Sequence, residues 1–67
     1  MKLLEFKIFR GSKISINPTY IVDIYPSYYL DRKQTSIEML GQQEPINVDC
    51  DYEIVIKEFQ RVLENIK

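Results

Sequence analysis

The spacing of apolar residues changes period once, at residues 50–52, and this change limits the possible folds more than any other feature. Up to Cys50 the chain alternates: Leu4, Phe6 and Ile8 stand against Glu5 and Lys7, and Ile14 and Ile16 against Ser15 and Asn17. Thr35, Ile37 and Met39 alternate with Ser36 and Glu38, and Ile46, Val48 and Cys50 with Asn47 and Asp49. A repeat of two puts successive side chains on opposite faces of a strand, so these segments predict half-buried strands. From Tyr52 the period is helical: Tyr52, Val55, Ile56, Phe59, Val62, Leu63 and Ile66 project onto one stripe. Glu53, Lys57, Gln60, Arg61 and Glu64 take the opposite side. Asp51 is placed as N-cap, Glu53 adds favourable charge to the first turn, and Glu53 and Lys57 are ordered for an i,i+4 pair. Ile54 alone is apolar and off the stripe.

Turn residues punctuate the alternating part. Arg10-Gly11-Ser12-Lys13 predicts a hairpin turn, because Gly11 tolerates a positive φ. Asn17-Pro18 breaks the second strand, since proline cannot donate to a ladder. Thr19-Tyr20-Ile21 then form a short turn, and Val22 and Ile24 begin a third strand with Asp23 outward. Pro26-Ser27 ends that strand or places it at a sheet edge. Residues 26–33 are either a loop or the extended tip of a long hairpin. A fourth strand runs over 34–40, Gly41-Gln42-Gln43-Glu44 makes the next turn, and Pro45 opens a short fifth strand. The whole reads as one α+β domain over 1–67: a small antiparallel sheet, or a partly closed barrel, of four to five strands with one C-terminal amphipathic helix packed on it. The sheet face away from the helix carries Glu5, Lys7, Ser15, Asp23, Ser36 and Glu38, and is expected to be solvated.

A chain of 67 residues supports one domain with a thin core. Such a core supplies roughly 3–5 kcal/mol, so small domains commonly add a disulfide, a metal or a partner. Cys50 is the single cysteine and there is no histidine, which leaves neither a disulfide nor a zinc framework. Good packing, self-association or docking on a partner is the remaining support. Nine basic and ten acidic residues give a net charge of −1 without a basic block, which argues against sequence-independent nucleic-acid binding. The apolar runs fall short of the ~20 residues of a membrane span, and Glu5 and Lys7 interrupt any signal-like start after Met1-Lys2. An unpaired cysteine also fits a reducing compartment, so the cytoplasm is the expected location.

No arrangement points to catalysis. Histidine, the commonest general base and metal ligand, is missing, and Cys50 has no base beside it. Its neighbours Asp49 and Asp51 would raise its pKa, so Cys50 reads as a small apolar side chain at the strand-to-helix junction. Asp49, Asp51 and Glu53 alternate as acids without the further ligands and glycine of a calcium loop, and read as helix capping. Gly11 and Gly41 are isolated, so no phosphate-cradling loop is formed. The expected protein is non-enzymatic, with no cofactor and no metal.

Aromatic clustering is more informative. Tyr20, Tyr25, Tyr28 and Tyr29 fall within ten residues, beside Arg32 and Lys33. Tyrosine is enriched at protein interfaces because it is large, rigid and amphipathic. The same residues could instead rim a small core, or stack bases of a single-stranded nucleic acid beside the two cations. The expected contact residues are Tyr25, Tyr28, Tyr29 and Leu30, with Ile54 as a second site, and the expected partner is a protein, a second copy included.

The hairpin Phe9-Arg10-Gly11-Ser12-Lys13, followed by Ile16-Asn17-Pro18 and by Ile21 with Asp23-Ile24, resembles the small flagellar FlbD-like family. Those proteins run from a strand through a glycine turn to a strand ending in Asn-Pro or Asn-Ala, then an Ile-Glu-x-Ile-like strand. Val48, Asp51, Glu53 and Val55 stand where that family has its last strand's valine, a helix N-cap serine, an acid and a helix valine. The likeness covers most of the chain in outline. Pro26–Lys33 is longer and richer in tyrosine than the family's turn, and Gly41-Gln42-Gln43-Glu44 replaces its Asn-Gly-type hairpin. The resemblance implies a bacterial accessory protein without catalytic residues.

Overall fold

A computed structural model describes residues 3–8 and 11–64. Five antiparallel strands are followed by one helix: β1 Leu4–Lys7, β2 Lys13–Ile16, β3 Ile21–Tyr29, β4 Arg32–Met39, β5 Ile46–Val48 and α1 Tyr52–Glu64. β1 and β2 form a two-stranded sheet, and β3, β4 and β5 a three-stranded one in that order. The two meet through an antiparallel bridge between Ile8 and Val48 and a hydrogen bond from Asp49 N to Lys7 O of 2.7 Å. The strands form two open sheets rather than a closed barrel.

The turns at Gly11 and at Asn17-Pro18 follow from their residues. Ile8 N donates to Ser12 O at 2.8 Å, and Gly11 sits between them at φ +82°, where a side chain would be strained. Phe9 and Arg10, part of the expected turn, lie outside the described residues, as do Met1-Lys2 and Ile66. Asn17 caps a single 3₁₀ turn over Pro18–Tyr20, its side chain accepting from Thr19 N at 3.0 Å. That turn delivers the chain to β3, where Tyr20 O accepts from Leu40 N at 2.7 Å.

The third strand departs from simple alternation. A bulge between Ile21 and Asp23 sends Ile21 and Ile24 inward and leaves Val22 62% exposed, although Val22 and Ile24 were expected on one face. One extra residue shifts every side chain before it to the other face. Pro26 does not end the strand. β3 lies at the edge of its sheet, and the Tyr29–Arg32 pair closes a two-residue turn at Leu30-Asp31. Counting back from that hydrogen-bonded pair, Pro26–Thr35 is a position where neither N–H faces the partner strand, so proline removes no ladder bond. Residues 26–33 are therefore the tip of a long hairpin.

Leu4, Phe6, Ile16, Ile37, Val48, Val55 and Val62 make the buried core, with Ile8, Ile14, Ile21, Ile24, Met39, Ile46, Cys50 and Phe59 packed around it. In register, Ile24–Ile37–Ile46 and Thr35–Val48 form adjacent rows beneath α1. The helix begins with Val55 N donating to Asp51 O at 3.1 Å, as an N-cap carbonyl accepts. Its buried stripe is narrower than the sequence suggests: Val55 and Val62 are buried, Ile56 and Phe59 half-buried, and Tyr52 and Leu63 exposed. The short sheet covers only the centre of an apolar face that Tyr52, Ile56 and Leu63 widen on one side. The ion pair on α1 is Arg61–Glu58 at 3.6 Å rather than Glu53–Lys57.

The far face of the three-stranded sheet was expected to be solvated, yet Ser36 is only 3% exposed. It lies in the Tyr25–Ser36–Asn47 row, and its hydroxyl donates to Asn47 Oδ1 at 2.7 Å and meets Ser27 Oγ at 2.7 Å. Hydrogen bonds along this short polar row replace water and make the burial tolerable.

Candidate functional site

β5 stops at Val48, opposite Thr35, while the β3–β4 hairpin continues through three more pairs: Ser27–Gln34, Tyr28–Lys33 and Tyr29–Arg32. This leaves a two-stranded arm beyond β5, the third strand of the sheet, in a molecule that measures 39 × 24 × 20 Å. A two-stranded ribbon alone is marginal in water. Two contacts tie the hairpin down, one at the last pair before its turn and one at the base of the arm. Arg32 Nη2 meets Asp49 Oδ2 at 2.7 Å, and Thr35 Oγ1 donates to Cys50 O at 2.8 Å.

Strand alternation divides the five expected contact residues. Tyr25 and Tyr29 lie on the outer face, away from the helix; Tyr25 is half-buried and its hydroxyl donates to Glu38 Oε1 at 3.4 Å. Tyr28 lies on the inner face, 66% exposed, and Leu30 stands at the turn, 84% exposed. Ile54, from the first turn of α1, lines with Tyr28 a groove of about 480 Å³. The structure thus brings Tyr28 and Ile54 together, with Leu30 at the arm's end, and separates them from Tyr25 and Tyr29. The spacing held this signal: residues 25 and 29 differ by an even number and share a strand face, whereas 28 does not.

Pro26 and Lys33 from the arm and Asp51, Tyr52 and Glu53 from the helix also line the groove. Tyr52 was expected on the apolar stripe, Asp51 as N-cap, Glu53 on the helix's polar side and Lys33 as a cation beside the tyrosines. The hairpin contributes one cation, Lys33, and the start of the helix two anions, Asp51 and Glu53, among aromatic, aliphatic and neutral polar side chains. Lys33 forms no ion pair among the described residues.

Leu30 has φ +56°, the one positive φ of a non-glycine residue among those described. Positive φ at the first central position of a two-residue hairpin suits glycine or asparagine, and a leucine there is strained. A large apolar side chain is kept where the turn itself favours none.

Cys50 is half-buried just before α1. Burial pushes its thiol pKa up, and the carboxylate of Asp51, with those of Asp49 and Glu58, adds to the rise against a hydrogen bond from the Asp51 backbone. Such a thiol is a poor nucleophile at neutral pH. Among the described residues no three acidic or cysteine side chains gather as metal ligands would, and no helix is long and apolar enough to cross a membrane. No family model, curated protein or solved structure matches the chain.

Proposed function

We propose that this chain is a non-enzymatic protein–protein interaction module that associates with itself, using the β3–β4 arm and the start of α1. The observation that carries this reading is Leu30: an exposed leucine in strained backbone at the end of an arm that the core does not need. Large apolar residues elsewhere point the same way, since Leu3, Val22, Leu40 and Leu63 are also exposed. A small domain gains stability when such surface is covered. The unpaired cysteine and the resemblance to the FlbD-like family support reading it as an accessory protein of a bacterial cytoplasm.

Base stacking is the weaker reading. Tyr25 and Tyr29 share the outer face with Asp23, Glu38 and Asp49, and Asp49 holds Arg32, so a nucleic-acid backbone would meet carboxylates there.

Leu30→Gly separates folding from association. Glycine relieves the positive φ, and the isolated fold is expected to gain about 1 kcal/mol, read as a higher urea midpoint at concentrations where the protein is monomeric. Association is expected to weaken at least about tenfold by equilibrium sedimentation, as for loss of an interface anchor. A wild-type protein that stays monomeric at millimolar concentration and recovers no protein partner would remove the proposal.

A further inference from the structure

The groove between arm and helix presents both halves of a contact that its own chain does not complete. Tyr28 and Lys33 line it from the arm, with Leu30 at the arm's turn beyond it; Tyr52 and Ile54 line it from the helix, flanked by Asp51 and Glu53. The first set is apolar with a cation, the second apolar with two anions. Lys33 pairs with neither acid within the chain. In a two-fold contact the same patch occurs on both subunits, and each residue pair occurs twice. A surface made of two complementary halves meets that condition, whereas a foreign peptide would need matching chemistry of its own.

We infer that the groove's occupant is the arm of a second copy, exchanged reciprocally about a two-fold axis. Lys33 of each copy then faces Glu53 of the other, and Tyr28 and Leu30 pack on the other's Tyr52 and Ile54. The inference rests on the self-association proposed above and specifies which surfaces meet.

Charge reversal in trans tests it. Lys33→Glu and Glu53→Lys are at exposed positions, and circular dichroism should show each variant folded. In either variant alone both copies of the pair are like-charged, and dimer affinity is expected to fall at least about tenfold at low salt. Mixed in equal amounts, the two variants place opposite charges at both contacts, and a heterodimer of near wild-type affinity is expected. A wild-type dimer that neither reversal weakens overturns the arm exchange while leaving self-association intact. Weakening without recovery in the mixture overturns it as well. A monomeric wild-type protein overturns this inference and the proposed function together.

A second measurement needs no variant. Isotopically light and heavy wild-type protein are mixed and treated with a zero-length carbodiimide, which couples amines to nearby carboxylates. The arm exchange predicts Lys33 linked to Glu53 or Asp51 in peptides carrying one label of each kind. Links found only within one label would place the pair inside a single chain and overturn the proposal.

Discussion

Replacing Ile37 by alanine is expected to leave the protein largely unfolded at room temperature. Ile37 is fully buried in the middle strand of its sheet, between Ile24 and Ile46 in register and beneath the helix. Truncating a buried isoleucine to alanine costs roughly 2–5 kcal/mol, the lost transfer energy plus a cavity that neighbours fill only in part. A core of this size holds only about 3–5 kcal/mol in reserve. Far-ultraviolet circular dichroism against urea provides the measurement. The Ile37→Val variant, with an expected cost of about 1 kcal/mol, should retain a cooperative transition at a lower midpoint. An alanine variant as stable as wild type would mean that the helix does not rest on this row.

The second large effect is expected at Thr35. Its side chain is fully buried, and its hydroxyl donates to the carbonyl of Cys50 at 2.8 Å, joining the central strand to the turn that starts the helix. Thr35→Val preserves shape and removes the donor, leaving a partly buried carbonyl without this partner, at a cost of about 1–3 kcal/mol. Thr35→Ser retains the donor and loses a methyl group, so it should lie between valine and wild type. Faster amide exchange at Val55, whose N–H bonds to Asp51 O, would accompany the valine variant. Equal midpoints for Val and wild type would show that the bond contributes nothing net.

Much of the fold is legible from residue spacing. Leu4, Phe6 and Ile16 are buried where alternation puts them, the helix starts at Tyr52 after Asp51, and Gly11 and Gly41 occupy positive φ. Some features are hidden from a local pattern because they depend on neighbours. The bulge at Val22 is invisible in composition, since valine and isoleucine suit either face. Pro26 marks either a stop or an edge in sequence, and the pairing of β3 with β4 alone decides for the edge. Ser36 looks solvated because its burial depends on Ser27 and Asn47, which reach it from two other strands. Tyr52 and Leu63 belong to the apolar stripe, but the short sheet does not reach under them.

The candidate site is legible only in part, for the same reason. Tyr28, Leu30 and Ile54 stand out as apolar residues with no place in the core pattern. The juxtaposition of Tyr28 and Ile54 arises only when the hairpin runs past β5 and the helix begins beside it. Lys33, Asp51 and Glu53 carry no individual signal. They acquire one by facing each other across the same space.

The meeting of the two sheets bears on how the chain assembles. β1 pairs with β2, β3 with β4 and β4 with β5, each with its neighbour in sequence, while Ile8–Val48 and Asp49–Lys7 join positions about forty residues apart. The hairpins can form early and separately, because short loops lose little entropy on closing. The seam between the amino-terminal hairpin and the last strand closes late and reopens most readily, so the Asp49 amide should exchange with deuterium sooner than those of β4. Fast folding with one slow-to-close join is the kinetic signature expected of this topology.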